Sequence, residues 1–382
     1  MARPRYFDLE LPGASRRIFY QRDKFDRLSP RDDPVWVKLV FAAAGLYILG
    51  AAAWVISAGV VRPNDGGELL NVACDPTREL WRDLNAAFVR EYDAKHGTRL
   101  SILQAHGGSG SQARAVVDGL EADVITLALW TDTDAVRKAG LIDPGWEDRL
   151  PNRSLPYTST IVFVVRKGNP KDLRDWADLA RPDVALITPN PKTSGNGKWS
   201  FLALWGSVVW RGGTEADARE FVRGVYGRVP VLDPAARGAT MTFAQKGIGD
   251  VHLTWENEAH LEVAEAGGAL EIVYPGRPGE PPLSVLAEPH VAVVDRNVDR
   301  KGTRAAAEAY MNFLYAEPAQ EVIARHHHRP TSPAVFARHR DRFPEMDLRR
   351  ATTLVPSGRW DDIQKAFFAE GAEFDRLYTQ KK

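Results

Sequence analysis

Asn190-Pro191-Lys192-Thr193-Ser194-Gly195-Asn196-Gly197-Lys198-Trp199 is a small polar turn that leads straight into an apolar helix ending at Trp210. Pro191 and the glycines hold the chain out of helix until about Ser194. From there Trp199, Phe201, Leu202, Trp205, Val208 and Val209 recur at three- and four-residue spacing, the period of one buried helical face. A helix that opens this way presents unpaired amide N–H groups and the positive end of its dipole to whatever lies before it. An anion fits such a place. For one corner alone, an ordinary Ser-capped helix start explains the residues equally well. Repetition of the corner decides between the two.

The corner does repeat. Leu69 to Ala73 reads as a strand, Asp75 as an N-cap with Pro76 behind it, and Leu80, Trp81, Leu84, Ala87 and Phe88 as a buried helical face. Leu100 to Gln104 is a strand, His106-Gly107-Gly108-Ser109-Gly110 a turn, and Ser111 to Leu120 a helix. Three glycines in five positions let backbone N–H groups approach a ligand closely. Val229 to Leu232 reads as a strand, followed by Asp233-Pro234-Ala235 and a helix from Ala236 to Gln245. Each unit puts a helix start at the carboxyl end of a strand, the edge at which open α/β sheets bind ligands. Val251 to Trp255 is a further strand, closed by Glu256-Asn257-Glu258, and the Trp255 indole N–H is a pure donor.

Between these corners, Thr160 to Val165 is a β-branched run that reads as a central strand covered on both faces. Asp172 to Ala180 reads as a surface helix and Leu286 to Val294 as one strand returning to the first domain. Thr303 to Tyr315 is an amphipathic helix, and short helices follow. His326-His327-His328 has no Cys or carboxylate at ligand spacing, so it reads as a solvated helix end and not as a metal site.

The chain of 382 residues is 44% hydrophobic with formal charge zero, enough for two packed domains and without the basic stripe of a nucleic-acid binder. Cys74 is the sole cysteine, which excludes an internal disulfide and a cysteine metal cluster. No dinucleotide fingerprint is present, and Gly197-Lys198 fails as a phosphate loop because Lys192 takes the first glycine position and Trp199 follows the lysine. No cofactor is expected. Leu39 to Val61 carries no charge and would span about 34 Å as a helix. It reads as a transmembrane anchor or uncleaved signal, with residues 1–38, nine Lys/Arg against six Asp/Glu, on the cytoplasmic side. Ile56-Ser57-Ala58 offers a signal peptidase the alternative.

Taken together, Asp75-Pro76-Thr77-Arg78-Glu79-Leu80, the 106–110 turn, Pro156-Tyr157-Thr158-Ser159-Thr160, the 190–195 turn, Ala236-Arg237-Gly238 and Gly249-Asp250 through Trp255-Glu256-Asn257-Glu258 resemble the extracytoplasmic sulfate-binding protein family, solute receptors of sulfate and thiosulfate ABC importers. The resemblance implies a two-lobed α/β fold of the periplasmic-binding-protein type (type II). Lobe 1 would comprise 67–158 and 284–348, lobe 2 159–283, and the helices of 349–382 would lie across both. It implies an oxyanion held by Ser109, Ser194, Gly195, Asn196, Ala236 and Trp255, with Asp75 a nearby acceptor for donor side chains. Two glycines after the serine and an Arg before the Trp are common in the family; here Asn196 and Lys198 stand there. The expected partners are sulfate or thiosulfate, the importer's permease subunits and, through the N-terminal helix, the inner membrane, which places the body in the periplasm. The competing reading is a membrane-anchored hydrolase or transferase using Ser194 or Ser109, with His106 or His252 as base. Neither serine stands in a nucleophile-elbow pattern, so no enzymatic activity is expected.

Overall fold

The computed structural model describes residues 67–379. The expected cytoplasmic segment 1–38 and membrane span 39–61 lie outside the described residues. Among those described, no helix is long and apolar enough to cross a membrane.

β1 (Glu68–Cys74) pairs in parallel with β2 (Ser101–Gly107) on one side and β3 (Val124–Thr126) on the other. Its side chains alternate between two cores. Leu69 and Ala73 join the one that holds Leu80 and Trp81 of helix Arg78–His96 and Tyr310 of helix Arg304–Phe313. Val72 joins the one with Val116 of helix Ser109–Val117 and Val136 of helix Trp130–Lys138. A sheet covered on both faces needs apolar side chains on both, as this strand has.

β4 (Tyr157–Arg166) carries the chain into a second sheet. Tyr157 at its start still packs in the first core, whereas Ile161, Phe163 and Val165 face one core of the second sheet and Val162 and Val164 another. The β-branched run is therefore the central strand its composition suggested. β5 (Leu186–Ile187) runs parallel to β6 (Val251–Trp255), and β6, β7 (Leu270–Val273) and β8 (Leu283–Ala287) are antiparallel to β4. β9 (Val291–Val293) rejoins the first sheet beside β3. β10 (Arg329–Pro330) pairs with Tyr157 and Thr158, and β11 (Asp347–Arg350) with β8. The result is a two-lobed α/β fold in which β4 and the 287–291 segment cross between lobes. Near the C-terminus, Phe367, Phe368 and Phe374 pack into the second-lobe core, while Asp361 takes an ion pair from Lys138 at 2.6 Å.

Several local expectations are corrected. The strand expected over 286–294 is two strands in two sheets, because Pro289 lacks the N–H that would continue a ladder. The surface helix expected over 172–180 is a single 3₁₀ turn, Trp176–Ala180, and Leu173 before it and Trp176 and Leu179 within it are core residues; the Trp176 indole donates to the Leu283 carbonyl at 2.6 Å. No strand forms at 229–232. Helix Gly195–Val209 is buried on every side from Gly195 to Ser207, not along one face. Its period reported a helix correctly, but the polar residues between its apolar ones are buried too.

Candidate functional site

At the 190–199 turn, the Ser194 hydroxyl accepts the Gly197 N–H at 3.4 Å and its carbonyl accepts the Lys198 N–H at 3.1 Å. Helix geometry then leaves the two amides before them, those of Gly195 and Asn196, without a helical partner. Gly195 has to be glycine. A Cβ there would stand 2.2 Å from the Ala128 Cβ and 3.0 Å from the Ser109 Cβ, so the helix start of the second lobe rests directly on the first. The Asn196 side chain donates to the Thr254 hydroxyl at 3.4 Å, which ties this corner to the end of β6.

The glycine turn is tighter than expected. β2 runs on through His106 and Gly107, and Ser109 is already the first helical residue. A Cβ on Gly108 would meet the Thr193 carbonyl oxygen at 2.4 Å, a second close approach between lobes. The Ser109 hydroxyl accepts the Ala128 N–H at 2.9 Å and donates to Asp132 Oδ2 at 2.6 Å. Asp132 Oδ1 in turn takes the Lys198 ammonium, and both side chains are buried. The two charges offset each other, so this lysine brings no net positive charge to the corner.

At the third corner Ala236 opens a short helix, and the next amide, that of Arg237, donates to Asp75 Oδ2 at 3.0 Å across the lobes. Asp75 does not cap its own helix. It lies in a 3₁₀ turn, Asp75–Thr77, and its Oδ1 takes the Arg78 guanidinium at 2.6 Å. The acceptor expected for donor side chains thus also serves a backbone donor. The Arg237 guanidinium reaches Glu79 at 3.0 Å and Glu258 at 3.4 Å. Burial pushes the Glu258 carboxyl up to about 8, with Arg237 pulling the other way. Asn257 donates to the Pro76 carbonyl at 2.8 Å, another bond across the lobes. Trp255, fully buried at the end of β6, keeps its indole N–H without any hydrogen-bond partner among the described residues. Buried donors are seldom left so, because the lost water bond is not replaced.

The structure thus brings Ser109, Ser194, Gly195 and Asn196 into one corner-to-corner contact, joins Asp75 to the residue after Ala236, and links Asn196 to Thr254 beside Trp255. Sequence reasoning missed Asp132 and the Arg237 to Glu79 bridge. Neither serine is hydrogen-bonded to an imidazole: His106 Nε2 pairs with Gln104 at 2.6 Å and His252 with Glu262 at 2.9 Å. Burial, then Arg78, holds His106 below its ordinary value. The hydrolase reading has no base. Among the described residues no His, Cys, Asp and Glu are grouped to hold a metal ion. The histidine run is not a solvated helix end, since His328 is buried and His326 pairs with Asp83 at 2.8 Å.

Two α/β lobes joined by crossing strands and pressed together at helix starts have the architecture of a two-lobed solute-binding protein. Residues 70–329 match the bacterial extracellular solute-binding protein family, and the chain belongs to it. It is 46% identical over 335 residues to the sulfate-binding protein of Escherichia coli, covering 87% of this chain and 97% of that one. It is 44% identical over 339 residues to the thiosulfate-binding protein of Pseudomonas aeruginosa, covering 88% and 96%. Among solved structures, the sulfate-binding protein SubI from Mycobacterium tuberculosis superposes with a TM-score of 0.69 at 32% identity, over 79% of this chain and 99% of that one. Apo ferric ion-binding protein A of Pasteurella haemolytica shares the fold, with a TM-score of 0.56 at 17% identity over 82% and 97%.

Proposed function

We propose that this protein is the extracytoplasmic receptor of a sulfate or thiosulfate ABC importer, and that it captures the anion between its lobes and delivers it to the permease. The observation that carries the reading is the Trp255 N–H, buried and unpartnered at the end of β6, next to the Thr254 that Asn196 holds. In this reading the donors are the amides of Gly195, Asn196 and Ala236, the Ser194 hydroxyl and the Trp255 indole, with the Ser109 helix start completing the set through its backbone. The Ser109 hydroxyl proton belongs to Asp132, so only the amide is left to give. Asp75 holds the Arg237 amide and thereby the Ala236 corner. In this reading lobe 1 is 67–158 with 291–346 and lobe 2 is 159–287, since β8 and β11 lie in the second sheet, and the segment from 347 on packs on lobe 2 with Asp361 reaching lobe 1.

Donors alone suit sulfate. At neutral pH every sulfate oxygen only accepts, whereas phosphate keeps a proton that such a pocket leaves unpaired, at a cost of about 1–3 kcal/mol. Helix starts supply the counter-charge without a cation. Thiosulfate has nearly the same shape and charge. Titration calorimetry of residues 66–382 with sulfate, thiosulfate and phosphate tests the reading. Micromolar or tighter binding of the first two and none of phosphate is expected, and absence of sulfate heat overturns it. The apolar run 39–61 suggests in addition that the receptor is tethered to the inner membrane, with its body in the periplasm; mass analysis of the native N-terminus decides between a tether and a cleaved leader.

A further inference from the structure

The helix Glu256–Glu265 of the second lobe and the turn after helix Glu317–Arg325, which packs with the first-lobe core, meet in a pair of imidazoles. His260 and His327 stack with ring centroids 3.8 Å apart and planes inclined by 14°. They close one end of a groove of about 430 Å³ that is lined from both lobes, by Glu79 and Leu80 on one and by Glu258 and Leu261 on the other. His327 holds a left-handed backbone, φ 55°, that a non-glycine residue adopts at a cost, and its Nδ1 is buried without a partner.

We propose that His260 and His327 are a proton-sensitive closure contact: stacked and neutral they hold the lobes together, and protonation of the pair separates them and loosens the hold on the bound anion. The inference rests on the receptor reading above. Its physical basis is that a charge arriving at this stack finds no free counter-charge among the described residues. Among the carboxylates facing it, Asp83 is taken by His326 at 2.8 Å, Glu79 by Arg237 at 3.0 Å and Glu256 by Arg329 at 2.8 Å. Glu258 also faces Arg237. The remaining charged neighbours, Arg82, Arg325 and Arg342, are cationic. His260 Nε2 lies 3.2 Å from the Tyr274 hydroxyl. Burial, then His260, Arg342 and His326 in that order, bring His327 down to about 4; burial, then Arg342, lower His260.

The sign follows from linkage. A histidine whose closed-state value lies below its ordinary one opposes closure wherever the open form takes up the proton. The loss therefore sets in as pH falls below the ordinary value and levels off at about 4. For His327 alone this amounts to about tenfold in affinity between pH 7.5 and 5.5. Glu258 takes up a proton on burial and pulls the profile the opposite way. It is present in wild type and variants alike, so the difference between them isolates the histidines.

The test is sulfate calorimetry at pH 7.5 and 5.5 on wild type, His327→Asn and His260→Phe. Sulfate stays fully deprotonated over that range. Asn tolerates the left-handed backbone, and Phe keeps a ring in the stack. Going to pH 5.5, wild type is expected to lose about tenfold more affinity than His327→Asn, with His260→Phe between them. Should one variant fail to fold, the other gives the comparison. Parallel profiles for all three proteins overturn the inference. Failure of wild type to bind sulfate even at pH 7.5 overturns the receptor reading, and this one with it.

Discussion

Replacing Gly195 by alanine tests lobe closure with one methyl group. The added Cβ would stand 2.2 Å from the Ala128 Cβ, 3.0 Å from the Ser109 Cβ and 3.2 Å from Leu129 Cδ1. The two nearest neighbours are β-carbons fixed to backbone, so neither can swing aside as a long side chain would. Relief requires the lobes to part by more than an ångström, since carbon atoms settle at roughly 3.5–4.0 Å. Gly195 is not among the positive-φ glycines, so alanine fits its backbone and the second lobe should fold as before. The strain then falls on the closed state alone. Overpacking of this kind costs about 1–3 kcal/mol, which is about 5- to 150-fold in affinity. Titration calorimetry with sulfate reads the loss, and thermal unfolding of the ligand-free protein should move little. A Gly195→Ala protein that binds within twofold of wild type refutes the reasoning that Gly195 meets Ala128 on closure.

Trp255→Phe keeps the ring and removes the unpartnered donor. A hydrogen bond to a charged group contributes about 1.5–3 kcal/mol, so sulfate affinity should fall at least tenfold, and an unchanged titration would remove the indole from the site. Lys198→Met leaves the buried Asp132 carboxylate without its cation across the lobes; the unfolding free energy of the sulfate-saturated protein by denaturant titration should drop by about 3–5 kcal/mol, and a drop below about 1 kcal/mol would mean that the pair is not held as described. Glu258 carries a pH signature. Its folded value, pushed up to about 8, lies above the unfolded 4.5, so the stability it leaves intact at acid pH is lost as pH rises between those values. The slope is at most about 1.4 kcal/mol per pH unit; Glu258→Gln should flatten the unfolding profile over that window, and an identical slope would show that Glu258 is not the titrating group.

Much of the candidate site was legible in the sequence because helix starts are local. A Ser or Pro at the cap, a glycine where the chain must pass close, and an apolar period behind them are set within one turn of helix, so the corners at Ser194 and Ala236 could be read from the chain, while the donor roles of Ser194, Gly195, Asn196 and Ala236 came from the family resemblance. The β-branched run of β4 declared a strand covered on both faces for the same reason. The polar contacts between corners were not legible. Ser109, Asp132 and Lys198 are far apart in sequence, and nothing in their local pattern says that a carboxylate takes both the serine proton and the lysine charge. Asp75 reaching the Arg237 amide and His260 stacking on His327 are likewise consequences of how the lobes press together, and Leu173 and Trp176 turn inward because the second-lobe core takes them.

The sequence by itself therefore determined the corners: helix starts behind polar turns, with a glycine where the lobes must touch. Tertiary structure decided which donors remain free, because a hydroxyl or an ammonium has few bonds to give, and only the folded neighbourhood settles whether Asp132 or the solute receives them.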